Sequence, residues 1–314
     1  MRMMSIASGS SGNCIYVGDD NTHLLIDAGI SKKRIEEGLN SIGLTLSDMS
    51  GILVTHEHSD HIGGLGVVLR KHDIPVFATN GTIEETAKSK YLDKVDLSLL
   101  NGLYADEDYE IGTLKIRPFS ISHDAKEPCG YRISNFSDSK AVAVATDMGH
   151  YNDYIVDNLK DLDAILLEAN HDIKMLQVGS YPYYLKQRIL GNHGHLCNEM
   201  SGRLLDEILS ERLKKIYLGH LSKENNYPEL AYESVRAQTN LSDSPFKADD
   251  FDIEGAKEHI RRSTRENAKS VTALSKPDAK TREVEREKAR ELERANRRKH
   301  ERRIESSKSR DHER

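Results

Sequence analysis

The chain has 314 residues, of which 37% are hydrophobic and 31% charged, the balance of an ordinary globular protein. It contains no apolar run of about 18 residues, and its first five residues are too few and too polar for a signal peptide, so we expect a cytoplasmic protein without a membrane span. Cys14, Cys129 and Cys197 are scattered and form no CxxC pair, which predicts reduced thiols and no disulfide partner.

Charge is divided unevenly along the chain. Residues 254–314 contain 20 Lys/Arg and 13 Asp/Glu, a net +7, which leaves 25 basic and 38 acidic residues, or −13, in residues 1–253. The basic tail indicates either an anionic partner or a solvated mixed-charge helix without a partner. We expect a folded domain over residues 1–240 and a highly charged tail over residues 241–314, helical (chiefly residues 279–305) or disordered.

The chain opens with short strands. Residues 4–7 and 14–17 predict a hairpin around the Gly/Ser turn of residues 8–13, which is either plain punctuation or an anion-binding turn of backbone N–H groups. A third strand, residues 24–29, contains Asp27, which is either a turn residue or a group that orients the histidines described next. A helix is predicted over residues 31–42, with Ser31 as its N-cap.

The stretch Thr55–His61 places three histidines and an aspartate directly after the apolar run of residues 52–54. Such a run predicts a short buried strand that delivers these side chains to a turn. Alternation along an extended chain puts His56 and His58 on one side, and the turn can bring Asp60 and His61 to a neighbouring point. Imidazole and carboxylate together suit zinc, or manganese or iron, so this stretch predicts a metal site rather than a histidine-rich polar loop.

The rest of the chain repeats one order of elements. Helices are predicted over residues 65–72, 82–89 and 199–215, and strands over residues 75–78, 114–119, 131–133, 141–146, 164–168 and 216–220. Antiparallel strands twice precede strands that alternate with helices, which favours two packed sheets with helices outside. Four apolar strands end near a potential ligand, namely His56, His123, Asp147 and His220. With the other residues of the histidine stretch, these could hold two metal ions for phosphodiester hydrolysis.

The order HxHxDH, then His, then Asp, then His resembles the signature of the metallo-β-lactamase fold. The resemblance implies an α/β fold, an αββα sandwich of two packed mixed β-sheets with helices outside, over about residues 4–238. It implies two divalent metal ions per chain, zinc or manganese. The ligands it assigns are His56, His58 and His123 for the first ion and Asp60, His61 and His220 for the second, with Asp147 as the bridge.

Residues 8–14, 167–172 and 194–198 further resemble the WalJ/YycJ (VicX) branch, whose members are bacterial proteins associated with a cell-wall two-component operon and described as 5′→3′ DNA exonucleases. Cys197 departs from the serine expected there. The resemblance implies a metal-dependent phosphodiester hydrolase, a 5′→3′ DNA exonuclease that acts through a dinuclear metal-bound hydroxide. Nucleic acid is the implied partner, DNA more than RNA, and the oligomeric state stays open.

Other members of the fold can be compared with this chain. Asp147 and His220 are 73 positions apart, and the segment between them already holds predicted strands and helices, which leaves no room for a β-CASP domain. True β-lactamases are secreted and have a cysteine in the second ligand set. This chain has Asp60 and His61 there, and its first residues do not predict a signal peptide. A small phosphodiesterase, a glyoxalase II-type thioesterase and a regulatory protein of a cell-wall two-component system remain open alternatives.

Catalytic roles follow for a few side chains. Asp60 and Asp147 are expected to orient the attacking hydroxide by accepting its proton. His195, or alternatively His193, is expected to contact the phosphate or protonate the departing oxygen, although His193 could be a loop residue without such a role. Asn198 predicts a helix N-terminus behind His195, where free N–H groups suit an anion. The residues expected to bind substrate are Ser10, Asn13, Asn170, His171 and His195, although Asn170 and His171 could instead support His220.

Overall fold

The computed structural model describes residues 1–239, so the predicted tail helix lies outside the described residues. The first sheet has the strand order β1 to β6: Arg2–Ala7, Cys14–Gly18, His23–Ile26, Gly51–Leu53, Val76–Thr79 and Leu100–Leu103. The second has β12 to β7 in the reverse of chain order, where β7 to β12 are Tyr109–Ile111, Leu114–Ser120, Cys129–Asn135, Ala141–Ala145, Ala164–Glu168 and Lys215–Gly219. The helices α1 to α9 are Lys32–Asn40, Ser59–Ile62, Leu65–Leu69, Asn80–Lys88, Asp153–Leu159, Ile173–Val178, Tyr183–Leu190, Asn198–Ile208 and Pro228–Gln238.

Each sheet begins with antiparallel strands and continues with parallel ones. In the first sheet β1, β2 and β3 pair antiparallel, and β3 to β6 pair parallel. In the second, β7 to β10 pair antiparallel, and β10 to β12 pair parallel. The repeated order of elements predicted from the sequence is confirmed.

The apolar side chains form three layers of core. Strand residues of both sheets, such as Val17 and Ile133, share one fully buried cluster, which places that cluster between the sheets. Ile35 of α1 is buried with the other face of the first sheet, and Leu204 of α8 and Val235 of α9 are buried with the other face of the second. Two sheets inside and helices outside confirm the αββα sandwich.

Two general expectations can be compared with the described residues. Among residues 1–239 no helix is long and apolar enough to cross a membrane. Cys14, Cys129 and Cys197 are all buried and free. Burial raises the pKa of the Cys129 thiol to about 12, with smaller effects of neighbouring groups, so this side chain stays protonated at neutral pH.

Some elements differ from the prediction. The helix predicted over residues 199–215 ends at Ile208, where Leu209 adopts an extended conformation. The chain then turns, and Leu213 is buried in the core. The Lys214 N–H donates to the Asp163 carbonyl at 2.8 Å, so that β12 begins beside β11. The edge strands β6 and β7 are short and partly exposed, so they lack the apolar alternation by which a strand is found in a sequence.

Candidate metal centre

The predicted ligands lie beyond one end of both sheets. The histidine stretch follows β4, His123 follows β8, Asp147 follows β10 and His220 follows β12. Asp147 and His220 have positive φ angles of 62° and 53°, an uncommon left-handed conformation for residues other than glycine. This conformation turns the backbone sharply at the strand end, and both side chains contact the other predicted ligands.

Three histidines of the first predicted set lie together. The potential ligand atoms of His56, His58 and His123 all lie within 4.8 Å of one another. His56 Nε2 is 3.1 Å from His58 Nδ1, and the rings of His56 and His123 are 4.9 Å apart between centroids. The structure therefore brings together residues from the two different sheets around one point.

The second predicted set lies beside the first. The potential ligand atoms of Asp60, His61 and His220 also lie within 4.8 Å of one another. Asp147 reaches both sets, because its Oδ2 is 3.5 Å from His61 Nε2 and its Oδ1 is 3.4 Å from His220 Nε2 and 3.9 Å from His123 Nε2. All seven predicted ligands thus form one cluster, with the Asp147 carboxylate between its halves.

Asp27 fixes the histidine stretch from behind. Its carboxylate accepts a hydrogen bond from the Thr55 N–H at 2.8 Å, and its Oδ2 lies 2.8 Å from His61 Nδ1. Thr55 Oγ1 lies 3.1 Å from His56 Nδ1. The orienting role predicted for Asp27 is confirmed, and with Nδ1 engaged on both rings the Nε2 atoms lie on the side of the other predicted ligands, His58 and Asp60.

Glu168 is a buried carboxylate that the sequence prediction did not include in the site. Its side chain is 0% exposed, and its Oε1 lies 2.8 Å from His195 Nδ1 and 3.0 Å from His220 Nδ1. Its Oε2 accepts from the Met148 N–H at 2.8 Å. One side chain therefore positions a predicted metal ligand and the predicted proton donor. The signal available in the sequence was an acid at the end of the apolar strand β11.

Replacing Glu168 with glutamine is expected to reduce activity roughly 10- to 100-fold, the usual cost of losing a group that orients a metal ligand. The glutamine amide has only one acceptor oxygen, so it cannot accept from both histidines and Met148 together. Metal affinity and the pH dependence of the rate are the measurements. Asp172→Asn, which alters an acid that caps α6 at Met175, is the control. Unchanged metal affinity and pH profile in Glu168→Gln would contradict this role.

Asp124 is a second carboxylate of the site that the sequence prediction missed. Its Oδ1 lies 3.4 Å from His123 Nε2, and its Oδ2 forms an ion pair with Arg188 of α7. It directly follows His123 in the chain, but nothing in the local pattern distinguishes it from a turn residue.

The charges of the cluster favour cation binding. Burial lowers the pKa of His61, but the carboxylates of Asp27 and Asp147 outweigh that effect and raise it to about 10. Burial raises the pKa of Asp60, yet contacts with His220 and His61 bring it well below its usual range. The Asp60 carboxylate is therefore ionised at neutral pH. A protonated His61 cannot be a ligand, so a divalent cation would take the place of the His61 proton as the positive partner of the neighbouring carboxylates.

Two buried atoms of the cluster indicate what that partner is. Asp147 Oδ2 and His220 Nε2 are buried and make no hydrogen bond within the described residues. An unsatisfied buried polar group costs about 1–3 kcal/mol. Metal ligation satisfies a carboxylate oxygen and an imidazole nitrogen together, and the mixed His/Asp donor set suits divalent cations. The residues therefore fit a metal site.

His195 joins the cluster, whereas His193 does not. The His195 side chain is 20% exposed, and its ring lies 5.2 Å from that of His123 and 5.3 Å from that of His220. Helix α8 begins three residues later, at Asn198. His193 is exposed and its Nδ1 lies 3.1 Å from Ser122 Oγ, outside the ligand cluster. With Nδ1 of His195 on Glu168, its Nε2 is the atom available to substrate.

The other predicted substrate-binding residues have different surroundings. Ser10 lines a cleft of about 480 Å³ together with Asp60, while Asn13 is buried with its Nδ2 3.0 Å from His61 Nε2. Asn170 donates to the His220 carbonyl at 2.9 Å. His171 is buried behind it, and that burial lowers its pKa to about 4. For Asn170 and His171 these contacts favour the alternative role, support of His220.

Known proteins resemble both the sequence and the fold. The profile of the beta-lactamase superfamily domain matches residues 22–216. The chain is 43% identical over 238 residues to exodeoxyribonuclease WalJ of Streptococcus pneumoniae serotype 2 (strain D39), covering 76% of this chain and 88% of that one. It is 41% identical over 230 residues to exodeoxyribonuclease YycJ of Bacillus anthracis, covering 73% and 86%.

Among solved structures, Zn²⁺-bound PqqB from Methylobacterium extorquens has a TM-score of 0.60 at 17% identity, covering 76% of this chain and 96% of that one, which is a likeness of fold. The sequence relatives are similar over most of their length and over the described domain. The protein therefore belongs to the metallo-β-lactamase superfamily, in the branch that contains the WalJ and YycJ exodeoxyribonucleases.

Proposed function

We propose that this protein is a metal-dependent DNA exonuclease that degrades strands in the 5′→3′ direction. The observation that carries the proposal is the complete cluster of seven His and Asp side chains, with His195 held at its edge by Glu168. The relatives named exodeoxyribonucleases support DNA as the substrate. The polarity is the one implied by the resemblance to this branch.

The seven clustered residues would hold two divalent ions, zinc or manganese. His56, His58 and His123 would hold one, Asp60, His61 and His220 the other, and Asp147 would join both. When bound, such ions activate water and neutralise charge on a phosphodiester.

The protein's own side chains supply the rest of the chemistry. Asp60 is ionised and 25% exposed, and it borders the cleft, so its carboxylate can orient the attacking water by accepting a hydrogen bond from it. Glu168 holds His195 at Nδ1, which directs Nε2 toward the substrate as the donor to the departing oxygen. The buried carboxylate thereby fixes the ring orientation before substrate arrives.

The test is a nuclease assay of the purified full-length chain on single- and double-stranded DNA and RNA labelled at either end. We expect nucleotides to be released from the 5′ end of DNA, loss of activity with a chelator, and recovery with zinc or manganese. A thioester and a cyclic nucleotide are assayed in parallel. Faster turnover of either, or no cleavage of DNA with metal present, would contradict the proposal.

We further propose that residues 1–240 form the catalytic domain and that the charged tail adds electrostatic attraction without adding chemistry. Deleting residues 254–314 removes a +7 segment from a −13 remainder, so DNA binding should weaken and its salt dependence should decrease. Turnover at saturating DNA should change little. Binding constants measured over a range of salt concentrations decide this, and an unchanged slope would favour a solvated tail without a partner.

A further inference from the structure

The segment that leads into His195 differs in charge from the rest of the acidic domain. Residues 173–198 contain Lys174, Lys186 and Arg188 and no Asp or Glu, whereas residues 1–253 carry a net charge of −13. A nucleic acid is repelled by an acidic surface and attracted by a basic one. This segment is therefore a favourable place on the domain for a phosphate backbone.

Helix α7, within this segment, exposes its aromatic side chains. None of its residues is buried, although a surface helix ordinarily buries one face. Tyr183 and Tyr184 are 77% and 75% exposed, and Val178 just before the helix is 86% exposed. A group of large exposed side chains on one element indicates an interaction surface.

Polar contacts fix this helix in place. Lys186 Nζ donates to the Gln177 carbonyl at 2.8 Å and to the Gly179 carbonyl at 2.7 Å. Arg188 forms its ion pair with Asp124, and the His195 N–H donates to the Ile189 carbonyl at 3.1 Å. The tyrosines are thus presented by an anchored helix.

The exposed tyrosines lie near the metal centre. Arg188 contacts Asp124, whose Oδ1 is 3.4 Å from His123 Nε2. Tyr184 precedes Arg188 by four residues, so the two share one helix face about 5–6 Å apart. The aromatic surface therefore begins one helical turn from Arg188, whose partner Asp124 contacts the predicted ligand His123.

We propose that α7 is a stacking surface for unpaired bases of the nucleic-acid strand that enters the metal centre. Tyr183 and Tyr184 stack on bases, and the lysines and arginine of the segment offset the acidity of the domain for the phosphates. Aromatic rings accept any base, which suits an enzyme that removes nucleotides regardless of sequence. This inference rests on the proposed function, because it requires a nucleic-acid substrate.

The experiment compares two DNA duplexes with a 5′ single-stranded overhang, one with normal bases and one with abasic sites in the overhang. Binding to the metal-loaded full-length chain is measured by fluorescence anisotropy, on DNA with phosphorothioate linkages that prevent cleavage. Wild type should bind the normal overhang roughly 10-fold or more tighter than the abasic one. Tyr183→Ala/Tyr184→Ala should lose this preference, and Tyr183→Phe/Tyr184→Phe should keep it.

Phe136→Ala is the matched control. Phe136 is 53% exposed and lies in the turn between β9 and β10, at the opposite end of β10 from Asp147. This variant should keep the wild-type preference. Thermal unfolding confirms that each variant folds.

Three results would overturn the inference. The first is retention of the base preference in the alanine double variant. The second is a wild-type dimer that this variant converts to monomer by sedimentation, which would make α7 a contact between copies of the chain. The third is equal wild-type binding of both duplexes. Failure of the proposed function is separate, since it shows as absent DNA cleavage when metal is supplied.

Discussion

Asp147→Asn is expected to abolish metal binding and hydrolysis together. Asp147 lies between the two halves of the cluster and is buried, so its charge would neutralise the proposed cations in a place that water does not reach. Asparagine keeps the size of the side chain and tolerates the left-handed backbone that Asp147 adopts at φ 62°. The loss should therefore come from charge, and emission spectroscopy of metal content with a nuclease assay measures both effects.

Asp161→Asn provides the matched control, because Asp161 also has a positive φ angle, 55°, but follows α5 and is not part of the cluster. It should retain metal and activity. Two metal ions per chain in an active Asp147→Asn variant would show that this carboxylate is not the bridge.

His195→Ala is expected to lower turnover by roughly 10²–10⁴-fold, the range typical of general acid–base groups. The imidazole is held by Glu168 through Nδ1, which leaves Nε2 available to substrate. Because His195 is outside the seven proposed ligands, the variant should keep both its metal content and its fold. Single-turnover rates and metal analysis are the measurements.

His193→Ala tests whether the neighbouring histidine can act as the proton donor in place of His195. His193 is two residues away and exposed, but contacts Ser122 instead of the cluster, so its removal should have little effect. Loss of metal in His195→Ala would mean that His195 is itself a ligand, and full activity would mean that its role is structural.

The sequence predicted the sandwich and the ligand cluster because both depend on local patterns. The histidine stretch is compact, and His123, Asp147 and His220 each follow an apolar strand. Strand ends on one side of a sheet lie near one another, so residues far apart in the chain can be expected to meet. The repeated order of strands and helices then predicted that each of the two sheets has antiparallel strands followed by strands that alternate with helices.

Other features depend on contacts between residues far apart in the chain, which no local sequence pattern predicts. Glu168 joins His195 and His220, which are 27 and 52 residues away from it, through one buried side chain. The end of α8 at Ile208 is set by the pairing of β12 with β11 and the burial of Leu213. The charge of α7 could be read from the sequence, but the exposure of its tyrosines required the fold.

The division of the ligands between the sheets means that neither half of the chain holds a complete ligand set. His56, His58, Asp60 and His61 precede the exposed loop of residues 104–108, and His123, Asp147 and His220 follow it. Dividing the gene at this loop would produce one fragment with the first sheet and one with the second, each holding only part of the ligand set. Nuclease activity recovered on mixing the two fragments would then show that the apolar cluster shared by the sheets is enough to reassemble the centre.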